Sequence, residues 1–109
     1  MTHVTQGLDD TVHQRARLGI LAVLAEGSRV QFGFLQETLG LSDGNLSRHI
    51  ATLEDAGYLA VEKGYEGRRP RTWVHITRKG RTALAREIEA LRALIDRFDK
   101  HARLGEGQP

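Results

Sequence analysis

The chain has no cysteine in its 109 residues. That excludes a disulfide framework, a thiolate metal site and a thiol redox switch, and makes a cytoplasmic address the default expectation. Long hydrophobic runs are also missing. The longest, 20–25, holds six residues, against the roughly 20 that a membrane-spanning helix needs, so no membrane partner is expected. The first residues are polar and show no apolar stretch followed by a cleavage site, so no secretory signal is read there. Neither an internal repeat nor a low-complexity block is present. What remains is 39% hydrophobic and 28% charged, the composition of one ordinary globular domain able to bury a real core.

Overall charge is small at +2, but it is unevenly placed. Lys63, Arg68, Arg69, Arg71, Arg78, Lys79 and Arg81 stand against Glu66 alone, so 63–81 carries +6 and the rest of the chain −4. Thirteen of the sixteen basic residues are arginine, whose planar fork matches phosphate. A basic segment on a nearly neutral chain points to an anionic partner met by one face.

Residues 1–8 lack periodicity and are expected to form a loose arm. Asp9 and Asp10 then offer a cap and first-turn acids for a helix whose inner face is Val12, Ala16, Ile20, Val23 and Leu24. Gly19 within it suits a close helix crossing. After a break at 26–28 comes a short extended piece at 28–32. A second helix is expected over 33–39, with Gly33 as its N-cap and Gly40 closing it. Ser42 caps a third helix through Ala56, whose stripe Leu46, Ile50, Leu53 is spaced four then three. Two strands follow at 58–63 and 72–76, with 64–71 read as a hairpin loop because it collects turn formers and Pro70. Thr77 caps a final helix over 77–104, and 105–109 reads as a tail. That helix repeats Leu84, Ile88, Leu91, Ile95, Phe98 and Ala102 at alternating steps of four and three, the seam a helix uses to pair with another. Some 27 residues at about 1.5 Å each exceed what so small a body can cover, which favours a homodimer. The whole is an α+β, mainly α, single domain over 9–104.

The second and third helices form a helix-turn-helix, and the basic hairpin has the composition of a wing. Here the sequence resembles the winged-helix transcriptional regulators of the MarR and ArsR type, most closely a compact branch of small winged-helix DNA-binding proteins. The likeness is carried by residues 39–50 (LGLSDGNLSRHI), 53–58 (LEDAGY), 63–73 (KGYEGRRPRTW) and 76–81 (ITRKGR). The resemblance implies a winged helix-turn-helix with a long C-terminal dimerisation helix. It also implies double-stranded DNA as partner, and a possible small-molecule effector of unknown identity bound between the DNA-binding body and the dimer helices.

The residue types fit that reading independently. With Leu46, Ile50 and Leu53 turned inward, the open face of helix 42–56 offers Ser42, Gly44, Asn45, Ser47, Arg48, His49 and Thr52, while Asp43 serves the helix dipole. Asn45 suits adenine, Arg48 suits guanine or phosphate, and Gly44 lets the backbone approach closely. Arg68, Arg69 and Arg71 on a stiff loop at 64–71 are expected to reach flanking backbone or minor groove. The expected activity is that of a sequence-specific regulator, a repressor, acting as a homodimer on a pseudo-palindromic operator. The rival readings are a winged helix used for protein contact and a nonspecific architectural DNA binder. Trp73, Tyr65 and His75 read as packing or surface residues. Asp99 and His101 are only a fragment of a metal site, and no catalytic constellation stands out. Neither an enzyme nor a cofactor is expected.

Overall fold

Ser42 is extended, and its hydroxyl accepts a hydrogen bond from the backbone N–H of Asn45 at 3.2 Å, which starts the helix that follows. In this computed structural model, which describes residues 5–106, that helix is α3 (Asp43–Asp55). It follows α1 (Arg15–Ala25), β1 (Val30–Gln31) and α2 (Phe32–Leu39), and precedes β2 (Leu59–Glu66), β3 (Arg69–Ile76) and α4 (Arg78–Glu106). The sheet runs β1-β3-β2 with antiparallel neighbours. The architecture is thus mainly helical with one small sheet. The expected arm and tail lie partly outside the described residues. Of the part described, Leu8 donates to the Thr5 carbonyl in a turn, and Gly7 sits against Ala90.

One core unites the elements. Ile20, Leu21 and Leu24 of α1 pack with Leu35 of α2, the Leu46–Ile50–Leu53 stripe of α3, Leu59, Val74 and Ile76 of the sheet, and Ala83 and Leu84 of α4. Each large side chain fully removed from water contributes about 1.5–3 kcal/mol. The core therefore fixes how α3 sits, and with it which of its residues face outward. Gly40 closes α2 at φ 64°, a left-handed conformation that costs glycine little. α1 crosses α2 at Gly19, where a β-carbon would lie 3.1 Å from Leu39 Cδ2.

Several expectations need correction. Asp9 and Asp10 do not open α1. It starts at Arg15, capped by Gln14, whose side chain accepts from the Arg17 N–H at 2.9 Å. Val12 reaches the core from a turn and mimics the helical spacing without belonging to it. Asp9 instead ties that segment down: it accepts from the Tyr58 hydroxyl at 2.8 Å and from the Thr11 N–H at 2.9 Å. The Asp9 N–H donates to Glu87 Oε1 at 2.9 Å, and Glu87 Oε2 lies 2.7 Å from His13 Nδ1. Glu87 is fully buried, a polar anchor between the N-terminal segment and α4. The hydrogen bond to Asp9 is the main cause that holds the Tyr58 phenol above its ordinary range. Gly33 is not a cap either, since α2 starts at Phe32 behind Gln31.

The expected loop at 64–71 is mostly strand. Tyr65 pairs with Pro70 and Glu66 with Arg69, leaving Gly67 and Arg68 as the turn. Gly67 has φ 64°, as the first central position of a II′ hairpin turn requires. Pro70 is tolerated because β1 flanks the central strand β3 only at Trp73 and Val74, so at Pro70 one side of β3 is locally open and a missing N–H there breaks no ladder bond.

Candidate nucleic-acid interface

With one side of α3 sealed into the core, the other presents small and polar groups. Gly44, Asn45, Ser47, Arg48 and Thr52 are exposed, as is Ser42 at the cap. Nothing lies within 4 Å of a β-carbon built on Gly44. Arg48 donates from Nη2 to Asn45 Oδ1, so these two side chains act as a unit in the unbound protein. The Thr52 hydroxyl donates to the Arg48 carbonyl at 3.0 Å, leaving its oxygen as an acceptor only.

Two grooves border α3. One is lined by Asn45 and His49 together with Gln14 and Arg15 at the start of α1, Thr38 of α2, and Gly40 and Leu41 of the turn. His49 does not stand free on the open face: it is half-buried, with Nδ1 3.2 Å from Arg17 Nη1. Burial first, then the Arg17 and Arg48 guanidiniums, hold its imidazole below the ordinary histidine range. The second groove separates α3 from the hairpin. Ser47, Ala51 and Glu54 face Val61, Lys63, Thr72 and Val74 across it.

Strand alternation then sorts the wing. Val61, Lys63 and Tyr65 share a face with Val74, Thr72 and Pro70, their register partners, on the α3 side. Trp73, Arg71 and Arg69 fall on the opposite face. There Arg29 stacks 4.4 Å from the Trp73 ring centroid, and Arg71 Nε lies 3.7 Å from Glu66 Oε1. The three arginines therefore do not act from one loop: Arg68 is at the tip, while Arg69 and Arg71 belong to the far face. Lys63, Thr72 and the exposed Tyr65 stand on the α3 side, and sequence reasoning missed them. Counting by twos outward along the hairpin, from Val61 on one strand and from Val74 on the other, would have found them. The rest of the basic segment divides as well. Arg81 bonds the carbonyls of Ala25 and Gly27 at 3.2 and 3.4 Å, closing α1, and Lys79 lies over the Tyr58 ring.

Along α4 the apolar seam splits in two. Leu84 belongs to the chain's own core, whereas Ile88, Ile95 and Phe98 are 39%, 57% and 72% exposed, with Leu91 half-buried between them. Asp99 and His101 are exposed, and no group of three potential metal ligands occurs among the described residues. Among those residues no helix is long and apolar enough to cross a membrane.

Comparison with known proteins agrees with this geometry. The chain is 36% identical to a transcriptional regulator homologue of Pyrococcus horikoshii, with a TM-score of 0.77 over 82% of this chain and 88% of that one. It is 39% identical over 72 residues to an uncharacterized protein of Methanocaldococcus jannaschii, covering 66% of this chain and 78% of the relative. A MarR family transcriptional regulator of Streptomyces coelicolor, solved in complex with DNA, shares the fold at 24% identity with a TM-score of 0.63, over 94% of this chain and 72% of that one. The model of the winged helix DNA-binding domain matches residues 16–95, and the chain belongs to that family.

Proposed function

We propose that this protein is a transcriptional repressor that binds duplex DNA sequence-specifically as a homodimer. The observation that carries the reading is the outer side of α3, small and polar over a sealed apolar stripe and bordered by Lys63 across one groove and Arg15 across the other. A helix so furnished suits the major groove, where Asn45 and Arg48 have the groups to read adenine and guanine. Their mutual hydrogen bond is exchanged for bonds to bases on docking. The exposed Ile88, Ile95 and Phe98 support pairing with a second copy through α4. Two recognition helices would then meet half-sites one turn apart. The cleft lined by Asp9, Tyr58, Arg78, Lys79 and Arg86 lies between the N-terminal segment and α4; it is the place for a small-molecule effector between the body and the dimer helices.

A gel-shift titration with random genomic fragments tests the reading; absence of any retained duplex at low salt rejects it. Asn45→Ala is expected to cost about 1–3 kcal/mol at particular base pairs. A uniform loss over all sites would contradict direct readout. Lys63→Ala is expected to reduce the slope of log affinity against log salt by about 0.9, one phosphate contact. Arg71→Ala, facing away beside Glu66, is expected to leave that slope unchanged. Equal slopes for all three proteins would remove Lys63 from the interface.

A further inference from the structure

Arg17 makes three directed contacts at the edge of the candidate interface. Its Nε donates to the Thr11 carbonyl at 2.6 Å, its Nη2 to the Asp10 carbonyl at 3.3 Å, and its Nη1 lies 3.2 Å from His49 Nδ1. The two carbonyls anchor the guanidinium, so it cannot turn from the imidazole without losing them. A guanidinium has donors and no acceptor. The contact with His49 is therefore a hydrogen bond only when Nδ1 is unprotonated. A doubly protonated ring would set two donors face to face. The surroundings add nothing to favour the cation: Arg15 and Arg17 come from α1 and Arg48 from α3. The end of α2 and the turn after it offer only the uncharged Thr38, Leu39, Gly40 and Leu41, and no carboxylate lines the groove.

We propose that Arg17 is a positioning residue that fixes His49 as its Nε2–H tautomer, so that the ring offers DNA a single donor and selects an acceptor on a base edge. This rests on the DNA reading given above. The acceptors in question are purine N7, guanine O6 and thymine O4; the cytosine amino group, a donor, is rejected. His49 thus discriminates by what Arg17 withholds as much as by what the ring presents.

Two measurements test it, and the first needs no DNA. Nitrogen-15 NMR of the free protein at neutral pH is expected to show Nδ1 bare and Nε2 protonated, and Arg17→Met is expected to lose that fixed assignment. A protonated Nδ1 in the parent protein overturns the proposal. The second is duplex affinity on a selected site, measured over about pH 5.5–8, where histidine titrates. Removing the Arg17 cation raises the His49 pKa, so in Arg17→Met the ring gains its proton, and added attraction to phosphate, at higher pH. Affinity of that variant is expected to climb as pH falls, starting above the pH at which the parent responds. Its preference at one base position should relax by about fivefold, the worth of a single hydrogen bond. Adding His49→Gln to Arg17→Met is expected to abolish the pH response. Identical pH profiles for the parent and Arg17→Met overturn the proposal. If no duplex binds either protein, the DNA reading falls and the reader role with it, whereas the Nδ1 signal still decides the tautomer on its own.

Discussion

Gly80→Ala is expected to destabilise the protein by roughly 3 kcal/mol or to prevent folding, a cost at the upper end for forced overpacking. A β-carbon there would stand 1.9 Å from the Tyr58 carbonyl oxygen, 2.8 Å from its carbon and 2.9 Å from Ile76 Cγ1. Two of the three obstacles are backbone, and that backbone is held: the Tyr58 carbonyl accepts from the Thr77 N–H at 3.1 Å. Thr77 in turn accepts from the Gly80 N–H at 3.0 Å and donates to the Gly57 carbonyl at 2.6 Å. The start of α4 is thus stitched to the root of the wing, and only a residue without a side chain fits at the crossing. Gly44→Ala is the control. Its β-carbon enters open space, and alanine in a helix gains up to about 1 kcal/mol over glycine. Denaturant midpoints followed by circular dichroism separate the two, and an unchanged midpoint for Gly80→Ala would contradict the packing described.

Leu91→Lys combined with Ile95→Lys is expected to yield a folded monomer whose affinity for a two-half-site duplex falls by about 10²–10⁴, the advantage of joining two readers. Both positions lie past Leu84, the last residue of the α4 seam in the chain's own core, so the body should stay intact. The added lysines would by themselves attract DNA. A loss therefore reports the broken pairing rather than new repulsion. Sedimentation gives the mass and circular dichroism the helix content. A variant that sediments as a dimer would move the interface off this seam.

The third helix was legible in the sequence because three independent signals coincide there: the Ser42 cap, the Leu46–Ile50–Leu53 stripe and Gly57 after it. Its open face followed from the same stripe. The wing was harder, for Gly64, Gly67 and Pro70 are loop residues by ordinary preference. Only the pairing of β2 with β3, and the short reach of β1, shows that two of them lie in strands. With 64–71 taken as the hairpin's loop, alternation stops at Lys63 and Thr72, and Arg69 and Arg71 fall in with Arg68. The start of α1 was hidden for another reason. Val12, Ala16 and Ile20 sit at helical spacing, although the first of them is delivered by a turn. Glu87 with His13, and His49 with Arg17, join residues 74 and 32 positions apart. No local pattern announces such pairs, because the packing of α1 on α3, and of the segment before α1 on α4, creates them.

The most direct test of the account is to let the protein select from sheared genomic DNA and to sequence what it retains. The account predicts one enriched motif, two inverted half-sites with centres about 10 base pairs apart, as two major-groove helices on one face of the duplex require. Retention of fragments with no shared motif, or of none at low salt, would contradict it.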